Sequence, residues 1–131
     1  MQSDEALISQ ALAVQTKAYA PYSNFQVGAA LESQDGTVFT GCNVENAAYG
    51  SCLCAERGAL MKAISEGRRA FRRIAIVGSG GDFCAPCGAC RQMLYEFAPN
   101  LEVIMANHSG ESQNVQLSQL LPHGFGSNNL V

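Results

Sequence analysis

The chain has no tryptophan, two histidines, four prolines and little charge: eight Lys plus Arg against eleven Asp plus Glu, a net −3. Without a basic stripe it has no means of neutralising a row of phosphates, which argues against nucleic acid as a partner. The densest basic stretch, Arg68, Arg69, Arg72 and Arg73, sits beside Glu66 and apolar residues, and reads as a solvated helix end followed by a strand. No apolar run approaches the roughly 18 to 20 residues needed to cross a bilayer. The start, MQSDEALISQ, carries acids where a secretory signal would carry positive charge, so the expected location is the cytoplasm. Cysteine is the residue in good supply.

Five of the six cysteines fall in two short segments, SCLCAERGAL from residue 51 and CAPCGACRQ from residue 84. In a reducing compartment such thiols serve as metal ligands, catalytic groups or buried apolar residues more often than as disulfides. A chain of 131 residues suits one core, and no repeat or linker divides it, so a single domain over residues 1–131 is expected.

Apolar residues spaced by three and four predict a helix over residues 3–19, opened by Ser3 and Asp4. FQVGAALES and TVFTGCNVEN read as the arms of a hairpin turning at Gln34, Asp35 and Gly36. A helix from about Cys52 to Glu66 ends at Gly67 in a left-handed cap. RRIAIVG is a buried strand, and GSGGDFCAP is a loop leading to a helix from Pro86 to Phe97. LEVIMA is a second buried strand, NVQL a short edge strand, and Ser118 to Leu121 a helical turn. Alternating strands and helices give an α/β layered domain.

Cys87 and Cys90, three apart at a helix start, face one point, and Cys54 arrives from the start of another helix. Three thiolates with a fourth position open is the pattern of a catalytic zinc; a structural zinc takes a fourth protein ligand. Cys52, Cys84, His108 and His123 are the candidates for that fourth place. Both histidines are expected to be exposed, and Cys42 to be a buried apolar residue. Glu56, two residues after Cys54, is placed to carry protons between a metal-activated water and a substrate. Gly58 lies inside a helix, where it costs about 1 kcal/mol relative to Ala, and close helix packing would account for it.

Cys54-Ala55-Glu56 and Pro86-Cys87-Gly88-Ala89-Cys90 match the zinc deaminase signature, with cysteine in place of its histidine. Together with YSNFQVGAAL, GCNVENAAY and QLLPHGF, in this order, the chain resembles the small homotetrameric cytidine deaminases from about Ala20 to Phe125. The resemblance implies a three-layer α/β/α domain with a mixed sheet of about five strands. It also implies one Zn2+ per chain on Cys54, Cys87 and Cys90, with Glu56 as the catalytic proton carrier. The implied reaction is hydrolysis of cytidine and deoxycytidine to uridine and deoxyuridine with release of ammonia, in pyrimidine salvage.

By the same matching, Ala55 and Ala85 contact the base, the latter where relatives often carry serine. Phe25 packs near the base, and Asn43 with Glu45 holds the ribose hydroxyls. Phe125, the main chain at Ala48 and the Tyr49 side chain reach the site of a neighbouring subunit. Three thiolates on a dication leave surplus negative charge, and Arg57 is the expected donor to a ligand sulfur. Other readings carry different signatures. A zinc-binding interaction module would fill all four positions, a CxxC redox protein would need neither Cys54 nor Glu56, and a same-fold deaminase of another heterocycle would not need Asn43 with Glu45.

Overall fold

The computed structural model describes residues 2–130; Met1 and Val131, the ends of the expected domain, lie outside them. Helix α1 (Asp4–Gln15) precedes a hairpin of β1 (Val27–Ser33) and β2 (Val38–Cys42). Helix α2 (Ala55–Ser65), strand β3 (Phe71–Gly78), helix α3 (Gly88–Phe97), β4 (Glu102–Ala106), β5 (Ser112–Gln116) and the short α4 (Leu117–Leu120) follow. The sheet order is β2-β1-β3-β4-β5. Only β3 and β4 are parallel, joined through α3, so the sheet is mixed and five-stranded as expected.

Both sheet faces are buried, and alternation along the strands divides them. Ala30, Ala75, Val77, Ile104 and Ala106 meet Leu7, Ile8 and Ala11 of α1. Their neighbours Ala29, Leu31, Ile74, Ile76, Val103 and Met105 face Ala59, Leu60 and Leu94 on the other side. Period-two strands between helical layers produce the α/β/α sandwich. Small residues let the layers approach closely. At Gly28 an added Cβ would stand 2.8 Å from the Gln15 backbone N, and closer still to the Ala11 carbonyl.

Three boundaries differ from the sequence reading, each for a tertiary reason. Helix α1 ends at Gln15 rather than residue 19, because Tyr19 is drawn into a bridge with Val44, its N–H donating to the Asn43 carbonyl at 2.9 Å. Helix α2 starts at Ala55 rather than Cys52, since Leu53 exchanges 2.9 Å hydrogen bonds with Val44 and stays extended. Helix α3 starts at Gly88, leaving Pro86 ahead of the N-cap. Gly67 does take the left-handed conformation, with φ +90°.

Three side chains also depart from expectation. Arg73 is largely buried, pairing with the fully buried Glu32 at 2.9 Å and with Asp4 at 2.5 Å. It ties the start of α1 to the sheet, so the basic cluster is only partly solvated. Cys42 is half-buried near the end of β2 rather than in the core. Gly58 does not serve close helix packing: a Cβ there would meet Leu53 and Cys42 at ordinary distances of 3.7 and 3.8 Å. Among the described residues, no helix is long and apolar enough to cross a membrane.

Candidate active site

The later starts of α2 and α3 reposition the thiols. Cys54 and Cys87 are the N-cap residues of the two helices, each in extended conformation (ψ 152° and 166°) and without a side-chain capping bond. Cys90 lies one turn into α3, on the face it shares with Cys87. The Sγ atoms of Cys54 and Cys87 are 3.7 Å apart, and those of Cys87 and Cys90 3.3 Å. Such separations are far beyond the roughly 2.05 Å of a disulfide. Tetrahedral zinc with Zn–S near 2.3 Å places its sulfurs about 3.8 Å apart, so the donor set fits zinc in both chemistry and spacing. All three sulfurs lie within 4.8 Å of one another, the one such cluster found among the described residues.

The remaining thiols and both histidines lie outside this cluster. The Cys52 sulfur accepts from the Asn46 backbone N–H at 3.3 Å. Cys84 is held neutral, its pKa pushed up to about 11 by burial, then by the nearby Glu56 carboxylate. His108 is exposed, with Nδ1 3.1 Å from the Gly80 carbonyl, and His123 is exposed in the left-handed region.

Charge within the cluster is unevenly shared. Hydrogen bonding from Cys90, and then from Arg57, brings the Cys54 pKa down to about 5. The same bond to Cys54 holds the Cys90 thiol well above its ordinary value, helped by burial. The two thiols thus pull against each other, Cys54 toward ionisation and Cys90 toward keeping its proton. Metal binding requires all three as thiolates and so releases protons. Arg57 reaches the cluster from the first turn of α2, with Nη2 3.5 Å from the Cys54 sulfur.

Glu56, one residue earlier, is only 4% exposed. Desolvation raises its pKa, and the neighbouring Cys54 charge adds to the effect. A buried carboxyl that resists ionisation beside a metal cradle has the chemistry needed to hold and pass on a proton.

A cavity of about 290 Å³ opens over these groups. Cys54, Glu56 and Cys87 line it together with Ala55, Ala85, Phe25, Asn43 and Glu45. Val27, Cys52, Leu53 and Cys84 also line it, and none of these four was singled out as a substrate contact. For Val27 the signal was available, since it follows Phe25 by two along an alternating segment. Leu53 faces the cavity through its bridge to Val44, which no local pattern announces.

Asn43 is a structural tie as well as a wall. Its Oδ1 accepts from the Val27 N–H and its Nδ2 donates to the Phe25 carbonyl, both at 2.8 Å. Glu45 accepts from the Tyr22 and Ser23 backbone N–H groups at 3.0 and 3.1 Å and from the Ser23 hydroxyl. The Ser23 hydroxyl chiefly keeps Glu45 below the ordinary carboxylate range.

Ala48, Tyr49 and Phe125 stand outside this cavity. Tyr49 packs edge-on to Tyr22, ring centroids 6.1 Å apart, beside an adjoining hollow that shares Glu45 and Cys52. Phe125 is exposed, and its carbonyl accepts from Gln92 Nε2 at 2.8 Å.

Comparison with known proteins agrees with this geometry. Residues 1–106 match the model of the cytidine and deoxycytidylate deaminase zinc-binding region. The cytidine deaminase of Sporosarcina psychrophila is 42% identical over 127 residues, covering 96% of this chain and 93% of that protein. That of Halalkalibacterium halodurans is 48% identical over 122 residues, covering 92% of each. The crystal structure of cytidine deaminase from Burkholderia pseudomallei superposes with a TM-score of 0.92 at 52% identity, over 95% of this chain and 100% of that one. With the thiol triad, the buried glutamate and the matched region all coinciding, the chain belongs to the cytidine and deoxycytidylate deaminase family.

Proposed function

We propose that the chain is a zinc-dependent hydrolase that converts cytidine and deoxycytidine to uridine and deoxyuridine, taking up one water and releasing one ammonia. The observation that carries this reading is the buried Glu56 at the floor of a nucleoside-sized cavity, beside three thiols that leave one metal position open. Zinc held by Cys54, Cys87 and Cys90 would supply Lewis acidity, lowering the pKa of water from about 15.7 to about 7.

Glu56 takes the proton released by water and passes it to the ring nitrogen beside the reacting carbon, then helps protonate the departing amine. Arg57 withdraws negative charge through Cys54, easing ionisation at the site. The main chain at Ala55 and Ala85 lies where the base edge enters, with Phe25 along its side.

Asn43 and Glu45 hold the sugar hydroxyls. Each has capacity left: the amide keeps one N–H and one lone pair beyond its two backbone bonds, and a carboxylate with about four acceptor sites has three in use. Glu45 also sets a negative charge at the sugar end, favouring a nucleoside over a phosphorylated nucleotide.

The exposed Tyr49 and Phe125 rings and the Ala48 main chain stand outside their own cavity and complete a neighbouring copy's site in a homotetramer. The enzyme acts in the cytoplasm, in pyrimidine salvage, as one domain. The test is the ultraviolet absorbance change of cytidine with zinc-loaded protein, using Glu56→Ala as control. Conversion by the wild type alone supports the reading, whereas no conversion despite bound zinc rejects cytidine as substrate.

A further inference from the structure

Beyond the groups that touch substrate, the width of the cavity depends on where the Phe25 ring lies, and nothing in the deaminase signature specifies that. Phe25 is not in a strand: it follows Asn24, which sits in the left-handed region at φ 57°, and precedes the first residue pair of the β1–β3 ladder, Val27 with Gly78. Its N–H donates to the Ser23 hydroxyl at 3.0 Å, and the next N–H, of Gln26, donates to the Ser79 hydroxyl at 3.1 Å. The backbone at residue 25 is thus tied to the loop on one side and to the end of β3 on the other. The ring direction is decided by what stands beneath it.

Beneath it is Gly78, the last residue of β3. A Cβ on Gly78 would stand 2.6 Å from Phe25 Cζ, and 3.2 Å from both Cβ and Sγ of Cys84. At Gly80 a Cβ would meet Phe25 Cε1 at 3.4 Å, an ordinary contact. Gly78 has no positive φ, so backbone freedom is not the reason for glycine there. The space is. We infer that Gly78 is a positioning residue for the base cavity: its missing side chain gives the Phe25 ring its seat against the end of β3, with Cys84 as the side wall.

A methyl group at 78 strikes hardest at the far end of a ring that is 42% exposed and presses less closely on the Cys84 side chain, neither being main chain, so the ring rather than the fold gives way. Cys84 closes the neighbouring side, and the ring moves toward the cavity it lines. The consequence is weaker base binding with the metal and proton-transfer groups undisturbed. This inference rests on the reading of the cavity as the base site.

The experiment compares Gly78→Ala, Gly80→Ala, Phe25→Leu and the double variant Gly78→Ala/Phe25→Leu in cytidine kinetics and zinc content. Gly78→Ala is expected to raise KM about tenfold, the scale of a one-carbon misfit in a pocket, with kcat and zinc content near wild type. Gly80→Ala leaves KM unchanged. In the Phe25→Leu background most of the Gly78 effect on KM disappears, because the ring atom at 2.6 Å is gone and only the 3.2 Å contacts with Cys84 remain. An unchanged KM in folded Gly78→Ala, or the same penalty with and without the phenyl ring, overturns the inference. Should Gly78→Ala fail to fold, the double variant is expected to fold; if neither folds, glycine is needed by the backbone and the inference is wrong. Absence of wild-type turnover would reject the substrate instead. The crystal structure of Gly78→Ala then decides independently, a displaced Phe25 ring supporting the inference and an unmoved one overturning it.

Discussion

Arg57 Nη2 lies 3.5 Å from the sulfur of Cys54, the thiol with the lowered pKa. The two residues are an N-cap and the third residue of the same helix, so α2 delivers a metal ligand and its charge partner from one turn. Three thiolates on a dication carry one surplus negative charge, which opposes formation of hydroxide. A guanidinium on one sulfur offsets it. Arg57→Ala should therefore lower zinc affinity or turnover by about 10- to 100-fold, as is typical when a group supporting a metal ligand is removed. Competition with a zinc chelator and steady-state kinetics check this. Wild-type values for both would show that the contact has no role in tuning the metal.

Glu56→Gln removes the proton carrier while preserving shape. Because Glu56 is not among the clustered ligands, the variant should keep one zinc per chain and lose at least about 10²- to 10⁴-fold in kcat. Metal analysis beside the cytidine assay separates the two effects. Loss of zinc along with activity would mean that Glu56 supports the cradle rather than the chemistry.

The cluster was legible because its chemistry is local: Cys87 and Cys90 meet across one helical turn, and Glu56 follows Cys54 by two. The β1–β2 hairpin followed from alternation and the turn at Gly36, whose φ is +89°. Helix starts were less legible. Nothing near Leu53 reveals that Val44 will hold it extended, yet that bridge makes Cys54 an N-cap instead of an interior residue. Arg73 misled for the same reason, since its partners Glu32 and Asp4 are 41 and 69 residues distant. The close approach of Phe25 to Gly78 was invisible in the sequence because the two meet only through the pairing of β1 with β3.

The hairpin turn carries a pH signature of its own. Asp35 accepts from the Ser33 hydroxyl and from the Thr37 N–H at 3.0 Å, and pairs with Arg68 at 3.1 Å. These bonds, Ser33 foremost, hold its carboxyl well below the usual range. A folded-state pKa below the unfolded value of about 3.9 stabilises above that pH and ceases to do so as pH falls through the folded value. Asp35→Asn should thus lower Tm at pH 7, with the difference from wild type shrinking below about pH 4. A gap of constant size across that range would mean that ionisation of Asp35 does not contribute.

Two glycines on or beside α2 make opposite predictions. A Cβ on Gly41 would stand 2.5 Å from the Ala59 backbone N and closer still to the Ala55 carbonyl, both fixed parts of the helix that carries Cys54 and Glu56. Unlike a ring tip, helix backbone cannot turn aside, so Gly41→Ala must push α2 off the sheet. Overpacking of this kind costs about 1 to 3 kcal/mol or more, and a shift of about 1 Å at Glu56 costs on the order of 10²-fold in turnover. Gly58 has ordinary clearance, and Gly58→Ala gains helix propensity, up to about 1 kcal/mol. Thermal melts should move down for the first variant and up for the second, with turnover lost only in the first. A Gly58→Ala variant as damaged as Gly41→Ala would mean that α2 is needed without a side chain at residue 58 for a reason other than space within the chain, such as contact with a neighbouring copy.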